Sequence, residues 1–202
     1  MSARRFSQVL ADGLAWVVTP VAGIGLSIMG APLRLWRLAS LRSKADGTIP
    51  VSTQFDGPVH ASARVRLTFG DHCRLGRDAY FETTGGGRIV VGNNVRINTG
   101  ALLASHNSIV IGNDCLIGEY VSVRDANHGT AMGQLMHLQV HTSSPIVLGS
   151  NVWIARGAVV LQGVSIGDDA IVAASSVVNQ DVFTGAIVGG VPARVIKMRG
   201  AA

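Results

Sequence analysis

The chain is short of the residues that most small domains rely on. Aromatic residues make up 5% of its 202 positions and charged residues 14%. That leaves too few large side chains and too few ion pairs for an ordinary helical bundle. There are two cysteines, Cys73 and Cys115. Neither belongs to a C-x-x-C pair, which excludes a disulfide framework and a zinc knuckle. A reducing, cytoplasmic compartment is expected. No P-loop is present, and Gly85-Gly86-Gly87 reads as a corner insertion with no helix after it. The body of the chain also lacks net charge. Of the overall +5, residues 1–46 supply +4, from Arg4, Arg5, Arg34, Arg37, Arg42 and Lys44 against Asp12 and Asp46. With no basic stripe interleaved with aromatics along the remainder, nucleic-acid binding is not expected.

What the chain does have is glycine, 25 in all, and a 48% hydrophobic content. Part of the apolar content is at the N-terminus, where residues 13–33 carry no charge and have arginines on both sides. The run is long enough to cross a bilayer. Pro20, Gly23, Gly25, Gly30 and Pro32 break it as a helix, and no small-residue cleavage site makes it a signal peptide. The segment 1–46 is read as a broken or amphipathic element at a membrane interface, with Arg34, Arg37, Arg42 and Lys44 on anionic headgroups. A true span and a pair of packing helices are the alternatives. The cationic flanks hold the rest of the chain on the cytoplasmic face, and residues 44–50 read as a linker.

Beyond the linker one pattern recurs: apolar, Gly, two polar residues, then a small residue. It is seen in Phe69-Gly70-Asp71-His72-Cys73, Val91-Gly92-Asn93-Asn94-Val95, Ile111-Gly112-Asn113-Asp114-Cys115, Leu148-Gly149-Ser150-Asn151-Val152 and Ile166-Gly167-Asp168-Asp169-Ala170. In the last block Leu148, Ile154, Val160, Ile166, Val172 and Val178 fall at every sixth position. A period of six is neither helix nor ordinary strand. It fits a short strand plus a tight turn, three per coil, stacked as a parallel β-solenoid. The intervals between Gly corners show one long excursion, about residues 129–145, beginning next to Asn127-His128-Gly129. A long loop in a compact repeat is a functional candidate.

These hexads resemble the left-handed β-helix hexapeptide-repeat acyltransferases. The resemblance covers about residues 55–199. It is carried further by Gly149-Ser150-Asn151-Val152-Trp153-Ile154, by Val164-Ser165-Ile166-Gly167-Asp168, and by Val188-Gly189-Gly190-Val191-Pro192-Ala193-Arg194-Val195-Ile196-Lys197. Those stretches are similar to the C-terminal half of sugar and xenobiotic O-acetyltransferases. The fold implied is all-β, a left-handed parallel β-helix over 47–186. An apolar helical segment precedes it, and a short C-terminal helix or tail over 187–202 comes after it.

The resemblance also implies a chemistry. Acyl transfer from a thioester to a hydroxyl needs a base, donors for the oxyanion and a place for coenzyme A. His128, at the start of the excursion, matches the family's general base. Asp125 is a candidate to orient its imidazole, and Trp153 to lie by the thioester. Ala155 and Arg156 match positions whose backbone amides meet the acyl and pantetheine groups. Ala174 matches a pantetheine contact, and Asn179 and Gln180 the nucleotide end. Arg194 and Lys197 supply charge for the phosphates. Asn98 matches an acceptor-pocket position, and His106 is a candidate to line that pocket. His60, His72, His137 and His141 read as solvated. No metal is implied. The resemblance implies acetyl-CoA as donor, a homotrimer with clefts between protomers, and a sugar, polysaccharide or lipid-linked glycan as acceptor. The alternatives are N-acetylation of an amino sugar, serine O-acetylation, and a non-catalytic assembly module. The maltose and galactoside branch has an acidic residue after the Asn. Here Ala101-Leu102-Leu103-Ala104-Ser105 stands instead, which disfavours a simple disaccharide.

Overall fold

Short strands separated by tight corners wind through a computed structural model that describes residues 31–200. Residues 31–42 are helical. A compact unit runs from Leu38 onward. Among the described residues, no helix is long and apolar enough to cross a membrane. The apolar run 13–33 lies almost wholly outside the described residues.

The strands assemble into three parallel sheets, of eight, six and five strands, that form the sides of a prism. Each turn of the chain adds one strand to each sheet in the same register, so inward residues stack directly on one another. One such column is Leu75, Ile97, Ile117, Ile154, Val172 and Val188 in the eight-stranded sheet. A second is Ala61, Phe81, Leu103, Val123, Val160 and Val178 in the six-stranded sheet. A third is Phe69, Val91, Ile111, Leu148 and Ile166 in the five-stranded sheet. Nearly all are buried, and together they make one continuous core. With strands about 4.8 Å apart, each aliphatic side chain covers the one below. This is why β-branched residues recur at every sixth position.

The first corner leads from the five-stranded to the eight-stranded sheet. Here His72, Asn94, Asp114, Asn151 and Asp169 all take positive φ. Such a backbone favours Gly, Asn and Asp, and the polar side chains serve it well. Asn94 Nδ2 donates to Asp114 Oδ1 at 3.0 Å, and Asn151 Nδ2 to Asp169 Oδ1 at 2.6 Å. Cys73 and Cys115 occupy the small-residue position beside this corner. Both thiols are buried and unoxidised, and burial pushes their pKa up. They are packing residues.

The third corner, from the six-stranded to the five-stranded sheet, is irregular. The excursion leaves it after Ser122–Arg124 and returns at Ile146–Leu148. Its base is closed by a short antiparallel pair, Ala126–Asn127 with Thr142–Ser143. Gln139 plugs its centre. Its Oε1 accepts from the Ala131 amide at 2.7 Å, and its Nε2 donates to the carbonyls of Ala131 and Gln134. At the C-terminus the expected helix or tail is a strand, Ala193–Met198, antiparallel to Ala186–Gly190 on the edge of the eight-stranded sheet. The pairing gives the last full strand a partner where the coils stop.

Ile117 is fully buried between Ile97 and Ile154. Ile117→Ala should therefore cost about 2–5 kcal/mol, read as a lowered midpoint of chemical unfolding. An unchanged midpoint would mean that the column is not close-packed.

Candidate active site

The second corner joins the eight-stranded to the six-stranded sheet. It holds a groove of about 620 Å³ lined by Asn98, Gly118, Glu119, Trp153, Ala155, Arg156, Ile171, Ala173 and Ala174. Five candidates from the sequence, Asn98, Trp153, Ala155, Arg156 and Ala174, meet here. The coil stacking brings them together across four successive turns. Trp153 registers with Leu116 below and Ile171 above, outside the prism, and is 47% exposed. Its ring is presented rather than packed away.

The two amides expected to serve the acyl group differ. The Ala155 N–H donates to the Val172 carbonyl at 2.9 Å and is committed to the coil stacking. The Arg156 N–H has no backbone partner among the described residues. It lies against Gly118, where an added Cβ would come within 2.7 Å of it. The absence of a side chain at Gly118 lets the two coils pack backbone to backbone at this point. The Arg156 guanidinium sits 5.6 Å from the centre of the Tyr120 ring. Sequence reading assigned Arg156 a backbone role alone and passed over Glu119 and Tyr120, because no motif marks them.

His128 is at the third corner, exposed, with its ring centre 4.3 Å from that of His141. His141 in turn lies 4.7 Å from His106. The excursion has folded its far end back over its beginning and brought three histidines together. His141, expected to be solvated, is the middle one. Desolvation first, then the charges of His128, His106 and Arg124, hold its pKa below the usual imidazole value. Among the described residues, no group of three His, Cys, Asp or Glu side chains is arranged to hold a metal ion.

Asp125 does not orient His128. Its side chain is fully buried and turned toward the coil below. Oδ2 accepts from Ser105 Oγ at 2.6 Å and from the Asn107 amide at 3.0 Å, while Oδ1 accepts from the His106 amide at 2.6 Å. The carboxylate ties down the turn that carries His106. His106 also lies within 2.9 Å of Thr84 Oγ1. The reason is positional: three residues before His128 the chain is still in the last hexad, where side chains point to neighbouring coils.

The coenzyme residues divide. Gln180 and Arg194 line a smaller cavity of about 130 Å³ near the last coil. Asn179 is exposed and outside it. Lys197 registers with Ile187, which continues the row of Trp153 and Ile171. It is three strand spacings, about 14 Å, from Trp153 along that face.

Similar proteins point the same way. Residues 145–180 match the family model described as bacterial transferase hexapeptide (six repeats). WbbJ of Escherichia coli K12, described as a lipopolysaccharide biosynthesis O-acetyl transferase, is 32% identical over 139 residues, covering 65% of this chain and 71% of that protein. The galactoside O-acetyltransferase of the same organism is 30% identical over 130 residues, covering 64% of this chain and 63% of that one. The hexapeptide-repeat acetyltransferase VCA0836 of Vibrio cholerae, solved with acetyl coenzyme A, superimposes with a TM-score of 0.55 at 27% identity. The match covers 78% of this chain and 70% of that one.

Removing the Asp125 carboxylate strands one hydroxyl and two amides. Asp125→Ala should destabilise by roughly 3 kcal/mol or more, as for a buried charged acceptor. A thermal melt unchanged from wild type would show that the turn does not depend on it.

Proposed function

The chain belongs to the hexapeptide-repeat acyltransferases, and we propose that within this family it moves an acetyl group from acetyl-CoA to a hydroxyl of a sugar or glycan, with His128 as general base. The observation that carries the proposal is the convergence of Asn98, Trp153, Ala155, Arg156 and Ala174 on one groove. Acetyl-CoA lies along the eight-stranded sheet, its thioester by Trp153 and the Arg156 amide, its phosphates toward Lys197 and Arg194. The neutral imidazole of His128 takes the proton of the acceptor hydroxyl as that oxygen attacks the thioester carbonyl. The Arg156 amide meets the oxyanion. The C–S bond then breaks, and the imidazolium returns the proton to the departing thiolate, leaving an ester and free coenzyme A.

The separation of these parts supports a site shared between copies. His128 is at the third corner, whereas the groove is at the second. The strand Ser122–Arg124 lies between them. From Tyr120 to Asp125 the chain covers about 16 Å at ~3.3 Å per residue. A general base must come within about 3 Å of its proton. This separation supports a base supplied to each groove by another copy, with the homotrimer as the proposed working unit. The excursion exposes Met132, Leu135, Met136, Leu138 and Val140, an apolar patch of the kind a neighbouring protomer covers.

His128→Ala should lower kcat by roughly 10²–10⁴-fold while leaving acetyl-CoA binding intact. The assay is thiol release across sugars, amino sugars and serine, which also separates O- from N-transfer. Wild-type turnover in the variant would remove the base from the mechanism.

A second measurement tests the shared site. Chains carrying His128→Ala and chains carrying Trp153→Ala, each inactive alone, should regain activity when co-expressed. In a mixed trimer an intact base then faces an intact groove. No recovery from mixed assemblies would place base and groove in the same protomer.

A further inference from the structure

We propose that the third corner is a track for an anionic acceptor, a glycan bearing carboxylate or phosphate groups that runs from Arg64 and Arg66 up to His128. The inference rests on the reading of His128 as the acceptor's base and deepens it. The coil repeat places one cationic side chain after another on this corner. Arg64 and Arg66 line a groove of about 250 Å³ with Thr83, Thr84, Gly85 and Gly87. Arg88 stands one coil above Arg66. The Ile89 amide donates to the Arg66 carbonyl, and the Ile109 amide to the Arg88 carbonyl. Thr84, on the groove wall, reaches His106 at 2.9 Å, and the histidine cluster continues upward from there. Arg124, on the neighbouring strand, is close enough to His141 to lower its pKa.

The acidic groups on this corner offset that charge only in part. Asp125 is buried and saturated by its three donors. Asp46 lies on the groove wall. Glu82 is two strands from Arg124, with Ala104 between them. The salt bridges among the described residues are elsewhere: His60 with Asp78, Arg74 with Asp56, and Arg199 with Asp169. Arg66 spends one nitrogen on the Gly86 carbonyl and Arg88 one on Ser108 Oγ. Both side chains are exposed, and each guanidinium keeps further donors beyond these bonds, as binding a carboxylate or phosphate requires.

Length and chemistry narrow the occupant. Three strand spacings, about 14 Å, separate the Arg64 coil from the His128 coil, which exceeds a single sugar ring. The occupant is thus a chain of sugars. A nucleic acid would want stacking platforms, but the exposed aromatics lie elsewhere. Tyr120 is at the second corner, Trp153 on the eight-stranded sheet, Phe183 at the corner before Ala186–Gly190, and Trp36 in the helix at 31–42.

The test is binding of labelled oligosaccharides of equal length to the full chain. The probes are an oligogalacturonate, a phosphorylated mannan fragment, a neutral malto-oligosaccharide and an oligothymidylate. The wild type should bind an anionic glycan roughly tenfold or more tighter than the neutral one, and about 0.5 M salt should erase the difference. The tighter of the two anionic glycans identifies the group recognised. Arg64→Gln/Arg66→Gln/Arg88→Gln should remove the preference. It should also raise the acceptor KM without changing kcat. Arg64→Gln alone guards against misfolding, because the Arg64 side chain has no hydrogen-bond partner among the described residues; it should weaken anionic binding severalfold. Equal affinity for neutral and anionic glycans, an unchanged triple variant, or an oligothymidylate bound as tightly would each overturn the track. Thiol release from acetyl-CoA separates the two readings. Charge-selective binding without release under any acceptor leaves the track and removes the transferase reading. Acetyl transfer with no charge preference does the reverse.

Discussion

Each coil hangs from the one beneath it by backbone hydrogen bonds made in strict register, and every other feature of the molecule inherits that register. Because one turn of chain places one residue at each level of each column, residues some twenty positions apart become neighbours about 4.8 Å apart. The interior uses this to stack aliphatic side chains, and the first corner to stack Asn and Asp. The second corner uses it to collect Asn98, Trp153, Arg156 and Ala174 around one groove. The site is a by-product of the repeat, decorated where the repeat relaxes.

The constraint acts on glycine as well. Gly118 is short because the Arg156 amide lies over it, and a Cβ there would push against backbone that cannot move without shifting a whole coil. Its absence lets the two coils close on each other. The neighbouring Ala155 amide belongs to the stacking and has nothing to offer a ligand. Adjacent amides on the same turn thus have different fates, decided by whether a residue falls on a strand or on a corner.

Much of this was legible in the sequence, because a period of six leaves a mark on every strand. The solenoid and the place of the excursion emerged from the repeat, and five of the groove's lining residues were candidates from the family resemblance. What escaped detection has a common cause. The partner of Asp125 was sought along the chain, three residues away at His128, and lies one coil down at Ser105 and the His106 and Asn107 amides. His141 looked like a solvated loop residue because the folding back of the excursion is not periodic. Arg66 and Arg88 are 22 positions apart in a near-neutral body, and only stacking brings them onto one corner. The C-terminal strand was missed because its pairing is antiparallel, against the direction of everything before it.

The short antiparallel pair that closes the excursion has a wider consequence. Where Ala126 meets Ser143 and Asn127 meets Thr142, the chain leaves and re-enters the solenoid at nearly the same point. The coils above and below therefore do not register how many residues intervene, and Gln139 organises the interior of the loop from within. Such a loop can lengthen or shorten without altering the pitch of the solenoid, as a fitting mounted on a rail leaves its gauge unchanged.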